Sequence, residues 1–327
     1  MAEVTERPLR LQPARREERS SRLLVVMGLI LCALPGKTPA WNDRGHMLVA
    51  AIAYDRLEPE VRARVDELLR VNPRYASWTR GVGRVQAKKV AFMRAATWPD
   101  FIKRAPGYER DGNRPSGPDA ARNTGYDDRL QHRYWHYIDI PFSTDGTPLE
   151  YPPEPNLLTQ IQAFAQVLAS AERSDEVKSY DLVWLIHLVG DVHQPLHTTS
   201  RFSKELPHGD EGGNRVLLCA RPCRSELHSF WDDILGTSKN ANSVIRAADS
   251  LGALPREGAD DLREGDWIAE GVLLAKSSVY VSPIGPGAGP YEVTQAYRRA
   301  ARLVAENRVA LAGARLAGVL NSILDRR

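Results

Sequence analysis

The chain has 327 residues, of which 43% are hydrophobic and 26% are charged, enough for one large apolar core and typical of a soluble globular protein. Residues 1–40 hold seven Lys and Arg and four Asp and Glu, so the remaining chain has 37 of each sign and the net charge of +3 lies in that leader. This neutrality excludes overall charge as a sign of nucleic-acid binding, and any attraction to phosphate must be local.

The first forty residues have the pattern of a secretory signal peptide. An Arg-rich run extends to Arg22, an apolar stretch covers residues 23–34, and small residues lead to Ala40. We therefore expect cleavage between Ala40 and Trp41, export to the periplasm or medium, and a mature domain of residues 41–327. An uncleaved membrane anchor is the alternative, although about twelve apolar residues are few for a comfortable bilayer span.

After Trp41 the apolar residues recur mostly with helical spacing. Residues 105–123 are rich in Gly, Pro, Arg and Asp and predict a surface loop, and residues 202–224 predict a long loop or short hairpin. Repeats are absent and strand patterns are few, so we predict a mainly α, single multi-helix domain. The predicted helices begin at about Arg44 and then cover residues 59–71, 86–98 with an end at Pro99, 156–170, 175–192, 227–235, 261–280 and 291–324.

The stretch LVWLIHLVGDVHQPLH, residues 182–197, carries the densest set of candidate ligands. His187 and Asp191 are four residues apart in a helical pattern and would project from one face. Pro195 should prevent the helix from continuing, which leaves His197 in a turn near that face. A carboxylate among Leu, Val and Trp must be paired or bound to a cation, and a neutral imidazole one turn away suits zinc. A core or surface histidine is the usual interpretation of His187 alone.

Other motifs of the chain supply further histidine and aspartate candidates for metal ligands. LHSFWDD supplies His228 and Asp232 at helical spacing, ATWPDFIK supplies Asp100 beside Lys103, and WHYID supplies His136. A solvated cation at a helix end is the alternative for Lys103. The other histidines divide by context: His46 lies near a helix start, His193 reads as structural, and His132 and His208 read as solvated loop residues.

Cys219 and Cys223 are the two cysteines after the leader, in the sequence CARPC. An exported protein permits a small disulfide there, and two unpaired thiols on a loop are the alternative. Their spacing alone is a weak indication of metal binding.

Six motifs taken together, WNDRGH, WPDFIK, WHYID, HLVGDVHQPLH, GDEGGN and LHSFWD, resemble the motif series of the zinc-dependent single-strand-specific nucleases. These are the enzymes of the mung bean nuclease type, within the zinc phospholipase C superfamily. The motifs occur in the family's order from Trp41 to Asp232. The resemblance implies a mostly helical domain that holds three zinc ions in a cleft.

The resemblance also implies roles for individual residues. From the chemistry of phosphate hydrolysis rather than from the resemblance, Asp100 would also help to orient an attacking water, and Lys103 would stabilise charge on phosphate. A nucleobase would be received by Tyr137 through stacking and by Asp139 and Asn214 through hydrogen bonds. The implied zinc ligands fall into three sets: Trp41 through its free amino group and carbonyl oxygen with His46 and Asp191; Asp100, His136, His187 and again Asp191; and His197, His228 and Asp232.

We therefore expect an exported endonuclease that hydrolyses single-stranded DNA and RNA to 5′-phosphate products through a zinc-activated water, with nucleotides as further substrates through a 3′-nucleotidase activity. Neither stable membrane association after cleavage nor an obligate protein partner is expected. A phospholipase C-like phosphoesterase is the rival enzyme, although the resembling phospholipases tend to carry Glu where this chain has Asp232. A non-catalytic zinc-binding protein with closed four-ligand sites is the third alternative.

Overall fold

The structure is a computed structural model that describes Met1 and residues 41–219, 225–253 and 257–325. Residues 41–325 lie within one compact unit, Lys37–Arg327. The predicted signal peptide and Cys223 lie outside the described residues, whereas Cys219 is disulfide-bonded. The α-helices are α1 Asp43–Asp55, α2 Pro59–Val71, α3 Tyr75–Thr79, α4 Ala87–Ala95, α5 Trp98–Ile102, α6 Leu157–Ala169, α7 Asp175–Asp191, α8 Leu227–Asp233, α9 Ala241–Gly252, α10 Glu264–Leu274 and α11 Gln295–Leu324.

Helix α7 is the centre of the domain. Ser174 caps its first turn by accepting from the backbone N–H of Val177, and every residue from 178 to 191 is buried. A helix that is buried on all sides needs neighbours on all sides. It packs against α1, α2, α4, α5, α6 and α11. His187 and Asp191 are thereby held inside the protein rather than on its surface.

Two short segments are joined at one end of α7. Strand β1, Ile140–Ser143, pairs in parallel with β2, Thr199–Phe202, in the register Ile140 to Thr199. A 3₁₀ turn precedes each strand, Arg133–His136 before β1 and Pro195–His197 before β2. The pairing therefore brings two candidate ligand motifs, distant in sequence, side by side. A separate antiparallel pair is formed by β3, Leu217–Leu218, and β4, Ser225–Glu226, which leads directly into α8.

The mainly α prediction is confirmed, and most helices lie where the sequence placed them. Helix α2 has the predicted bounds, with Pro59 at a position in the first turn where its missing N–H costs nothing. The predicted helix 86–98 is wrong at its end: α4 stops at Ala95, and Pro99 lies in the first turn of a new helix, α5. Helices α3 and α9 were not predicted. No helix in the described part of the chain is long and apolar enough to span a membrane.

His132 is also placed differently from the prediction. It is not a solvated loop residue but is fully buried, stacked on the ring of Trp135 at a centroid distance of 3.5 Å. Its Nε2 lies 2.7 Å from Asp128 Oδ2, and Asp111 accepts from its backbone N–H at 3.0 Å. These neighbours tie the 105–123 loop to the core. His208, by contrast, is exposed and lies 2.9 Å from Glu150 Oε1.

Candidate active site

The first group of candidate ligands surrounds Asp191 at the end of α7. Asp191 Oδ1 lies 3.3 Å from His46 Nε2, whereas Oδ2 lies 3.0 Å from His136 Nδ1 and 3.2 Å from His187 Nε2. The two oxygens of one carboxylate therefore face different imidazoles. His46 belongs to α1, whose first turn is capped by Asn42, and its ring stacks on that of His187 at 3.8 Å.

The second group adds Asp100 from the short helix α5. Its Oδ1 lies 3.9 Å from His136 Nδ1 and 3.8 Å from His187 Nε2. The same oxygen accepts a hydrogen bond of 2.8 Å from Lys103 Nζ, one turn later in the chain. The side chain of Lys103 is only 10% exposed. The ammonium therefore does not lie in solvent but is held against the cluster.

The third group joins the 3₁₀ turn Pro195–His197, which carries His197, to helix α8, which carries His228 and Asp232. His197 Nε2 and His228 Nε2 are 3.0 Å apart, and Asp232 Oδ2 is 3.5 Å from His228 Nε2. Gln194 donates to Asp232 Oδ1 at 2.8 Å and so holds that carboxylate in place. Gly212 makes close contact possible here: it has φ +61, and a Cβ on it would lie 2.3 Å from the carbonyl oxygen of Leu196.

Backbone carbonyl groups fix the tautomers of three histidines. The Nδ1 atoms of His187, His197 and His228 lie 2.7, 2.6 and 2.7 Å from the carbonyl oxygens of Ala96, His136 and Gly212, respectively. A carbonyl oxygen only accepts, so each Nδ1 must donate. In the neutral imidazole the Nε2 atom then presents a lone pair to the cluster, the arrangement that metal-ligating histidines commonly have.

Burial disfavours the charged forms of both the histidines and the carboxyl groups of the site. It lowers the pKa of His46, His136 and His197 well below the usual value, so these rings stay neutral. Burial also raises the pKa of Asp191 to about 6 and that of Asp232 well above the usual range. Burial acts to lower the pKa of His187, but the negative charges of Asp191 and, to a smaller extent, Asp100 outweigh it and raise that pKa. These carboxylates are costly to ionise unless a positive charge lies beside them.

The residues fit a zinc ion in three places. Three sets of ligand atoms each lie within 4.8 Å of one another: those of His46, His187 and Asp191, those of Asp100, His136 and His187, and those of His197, His228 and Asp232. Tetrahedral zinc with bonds of 2.0–2.1 Å separates its ligands by about 3.3 Å. Several separations are of this size, and two neutral ring nitrogens 3.0 Å apart repel each other unless a cation lies near both. Buried atoms without a hydrogen-bond partner among the described residues include Asp100 Oδ2, Asp191 Oδ1, Asp232 Oδ2, both ring nitrogens of His46 and His136 Nε2.

Trp41 lies against the start of α1 and is fully buried. Its side chain is close to Gly45, where an added Cβ would lie 2.6 Å from Trp41 Cβ. Asn42, the next residue, donates its backbone N–H to the carbonyl oxygen of Asp232 at 3.3 Å. The backbone of the predicted mature N-terminus is therefore linked to the helix that carries the third group.

Two connected cavities approach the cluster. A small cavity of about 30 Å³ is bordered by Lys103, by three candidate ligand histidines and by Asn214. A larger cavity of about 430 Å³ continues from it, because Tyr137, Asp139 and Glu211 border both. The Tyr137 hydroxyl donates to the carbonyl oxygen of Asn113, so the 105–123 loop covers one edge of the larger cavity.

Twelve of the thirteen residues predicted for the site belong to these groups or border these cavities, and Trp41 is connected to them through Asn42 and Asp232. Tyr137, Asp139 and Asn214 border the small cavity together with His136, His197 and His228. Asn214 Nδ2 donates to the carbonyl oxygen of Glu211 at 2.7 Å, and its Oδ1 is buried without a hydrogen-bond partner in the described ranges. That oxygen is available to accept from a ligand.

Sequence reasoning missed several residues of the site. Gln194 holds Asp232, and Arg133, which borders the small cavity, donates to the carbonyl oxygen of Lys103 at 3.1 Å. Glu211 borders both cavities. Gln194 and Glu211 lie inside motifs that carry the resemblance, and Arg133 lies three residues before His136. Their closeness in sequence to predicted site residues was the one signal that could have identified them.

A mostly helical domain with three groups of imidazole and carboxylate ligands beside a cavity has the features of a metal-dependent hydrolase. The S1/P1 nuclease family model matches residues 41–325, and the chain belongs to this family. The family is zinc-dependent as a rule, and the chain is accordingly a nuclease, a hydrolase of phosphodiester bonds.

Relatives from Arabidopsis thaliana agree with the family assignment. The chain is 26% identical to Endonuclease 3 over 331 residues, which is 94% of this chain and 97% of that protein. It is 26% identical to Endonuclease 1 over 68% of this chain and 63% of the relative, and 25% identical to Endonuclease 4 over 66% and 60%. The match to Endonuclease 3 therefore extends over nearly the whole of both chains.

Proposed function

We propose that this nuclease binds three zinc ions and hydrolyses single-stranded DNA and RNA, with 3′-nucleotidase activity and 5′-phosphate products. The observation that carries the proposal is that Tyr137, Asp139 and Glu211 border both the 430 Å³ cavity and the small cavity, which the candidate ligands His136, His197 and His228 also border. A base paired and stacked in a duplex cannot present its face to Tyr137. The cavity therefore favours a strand whose bases are free.

Nine residues are proposed as the zinc ligands: Trp41, His46, Asp100, His136, His187, Asp191, His197, His228 and Asp232. When bound, zinc supplies an activated water and withdraws negative charge from the phosphate. Asp191, with its oxygens directed at His46 on one side and at His136 and His187 on the other, is the proposed bridge between two ions.

The remaining site residues position the substrate. Lys103, which Asp100 holds at the edge of the small cavity, would contact a phosphate oxygen. Asp100 Oδ2 is available to accept a proton or orient a water molecule. Tyr137 provides a ring for stacking, and Asp139 and the Asn214 Oδ1 provide acceptors for the amino groups of a base. Stacking on an aromatic ring tolerates any base, so both DNA and RNA strands would be substrates.

The rival activities have less support. A phospholipase-type enzyme needs an apolar rim for acyl chains, whereas charged and polar residues such as Arg114, Glu150, His208 and Arg215 are prominent around the large cavity. A non-catalytic zinc protein needs closed sites, whereas the small cavity opens directly onto His136, His197 and His228. The matched relatives, moreover, are endonucleases.

We also propose that the protein is exported and that removal of residues 1–40 frees the Trp41 amino group for zinc. An upstream peptide bond would turn that amine into a poorly donating amide. Mass spectrometry of the secreted protein should give Trp41 as the first residue. A protein with one glycine added before Trp41 should lose zinc and activity, and unchanged zinc content with unchanged turnover would reject this part of the proposal.

Metal analysis and substrate assays on the purified mature protein test the activity. We expect three zinc ions per chain and hydrolysis of single-stranded DNA, RNA and 3′-AMP, with little cleavage of duplex DNA or phosphatidylcholine. End-labelled products should carry 5′-phosphate. Preferential hydrolysis of phosphatidylcholine, or zinc binding without cleavage of any nucleic acid, would contradict the proposal.

A further inference from the structure

A second groove reaches the metal cluster through a different set of residues. It has a volume of about 410 Å³ and is bordered by Asp100 and Asp232, which belong to two different ligand groups. None of the residues bordering it borders the base cavities that contain Tyr137. A strand whose base occupies the Tyr137 cavity and whose phosphate lies at the cluster has this groove as a second path.

Phe101 is the aromatic side chain of this groove. It follows Asp100 directly in α5, and 41% of its surface is exposed. The Arg74 guanidinium lies 3.9 Å from the centroid of the ring. Arg74 borders a neighbouring depression but not the groove, whereas Phe101 borders both. The ring therefore forms a ridge that is supported on the Arg74 side and open toward the groove.

Arg104 is the cation of the groove that can bind a phosphate beside Phe101; Lys239 and four aspartates, Asp43, Asp100, Asp232 and Asp233, also border it. Asp43 is paired with Lys239, and Asp233 accepts a hydrogen bond of 2.7 Å from Asn42 Nδ2. Arg104 borders the groove and is exposed, and its guanidinium makes no hydrogen bond or ion pair with another part of the described chain. An exposed guanidinium is well suited to bind a phosphate.

We propose that Phe101 and Arg104 form a second nucleotide subsite, which takes the nucleotide on the far side of the scissile phosphate from the one in the Tyr137 cavity. The base stacks on the open face of Phe101, and Arg104 binds the next phosphate along the strand. The cation under the other face of the ring strengthens an aromatic platform of this kind. The subsite rests on the proposed function, because it extends the path of the same single strand.

Dinucleotides that lack one base test the subsite. The substrates are TpT and two analogues in which either the 5′ or the 3′ nucleoside is replaced by an abasic residue. Phe101→Ala should lower kcat/KM for TpT about five- to a hundred-fold, the range expected for loss of one stacked base. The loss should be absent with the analogue that lacks the base bound by Phe101, and it should persist with the analogue that lacks the other base. Tyr137→Ala should show the opposite pattern with the same two analogues.

Controls separate this subsite from damage to the fold or the cluster. Phe101→Trp should retain the activity on TpT, and the control Leu303→Ala, which removes an exposed apolar side chain of α11 that borders none of these cavities, should leave it unchanged. Zinc content should be unchanged in Phe101→Ala. A wild-type protein that cleaves none of the substrates would contradict the proposed function itself. A Phe101→Ala protein that matches the wild type on TpT, or loses equally on both abasic analogues, would overturn the subsite alone.

The salt dependence of binding tests Arg104. With the zinc-loaded protein and a phosphorothioate (dT)₁₀ that resists cleavage, binding should weaken in Arg104→Gln, and the slope of log K against log [salt] should become shallower by about one phosphate contact. Arg299→Gln, an exposed arginine of α11 that borders neither groove, serves as the matched control. An unchanged slope in Arg104→Gln would remove Arg104 from the subsite.

Discussion

The His46 imidazole lies directly against the backbone of Gly190, where an added Cβ would be 2.8 Å from His46 Nδ1 and 3.2 Å from Cε1. Helix α1 can bring its ligand to α7 only because residue 190 has no side chain. Gly190→Ala should therefore displace His46 from Asp191, lower the zinc content by about one ion and reduce activity. Metal analysis and single-stranded DNA hydrolysis measure both effects.

Gly265→Ala is the matched control for that variant. Gly265 lies in the first turn of α10, and a Cβ there would meet nothing within 4 Å. This substitution should be neutral or stabilise the protein by about 0.5–1 kcal/mol, because alanine loses less conformational freedom than glycine in a helix. A Gly190→Ala protein as active and as rich in zinc as Gly265→Ala would show that the close contact is not needed.

Tyr137 is expected to contribute stacking rather than metal binding. Tyr137→Ala should weaken affinity for single strands by about 1–3 kcal/mol, roughly five- to a hundred-fold, with unchanged zinc content. Hydrolysis of bis(p-nitrophenyl) phosphate, which needs no base cavity, should change little. Tyr137→Phe removes only the hydroxyl that donates to Asn113 and should stay close to the wild type. Equal losses on both substrates would indicate a core role instead.

Asp181 gives the protein a pH-dependent stability that is separate from the cluster. It is buried in α7, and both of its oxygens lie 2.8 Å from Asn123 Nδ2. Burial raises its pKa from 3.8 to about 8. Between these two values the folded state binds more protons at this carboxyl than the unfolded state does. The contribution of Asp181 to the free energy of unfolding therefore falls as pH rises from about 4 to about 8.

Asp181→Asn removes the titrating group and retains an acceptor for Asn123. The variant should gain stability relative to the wild type as pH increases, with the larger difference at pH 8 and the smaller at pH 5. Urea denaturation of both zinc-loaded proteins at these two pH values provides the measurement. A difference that is the same at pH 5 and pH 8 would contradict the assignment.

Local patterns were sufficient to predict most of the fold. Helices α2, α6 and α7 have clear apolar spacing together with Pro59, Asn156 and Ser174 at their starts, and their predicted bounds agree closely with the structure. Helix α9 was missed because only two of its residues, Val244 and Ala248, are buried, so its apolar stripe is narrow. Proline was taken to end a helix at Pro99, although it is equally suited to a first turn.

Contacts between distant residues were the main source of error at the site. The burial of His132 depends on Asp111, 21 residues earlier, and on the stacked Trp135, and the support of Asp232 by Gln194 joins residues 38 apart. The spacing of four between His187 and Asp191, by contrast, is local and was read correctly as one helix face. Whether Asp191 serves two ions depends on where its two oxygens point, which no sequence pattern gives.

The bridging role of Asp191 is the central claim, and zinc content in two variants tests it directly. Asp191→Asn keeps the shape but removes the negative charge between His46 and His187, so two ions should be lost together. His197→Ala alters only the third group and should lose about one. The measurement is zinc per chain by elemental analysis after mild chelation, with hydrolysis of single-stranded DNA followed in parallel.

We expect Asp191→Asn to retain about one zinc and to show no turnover even with added metal, whereas His197→Ala retains about two and recovers part of its activity with added zinc. An Asp191→Asn protein that keeps three zinc ions, or that loses no more than His197→Ala does, would contradict the account.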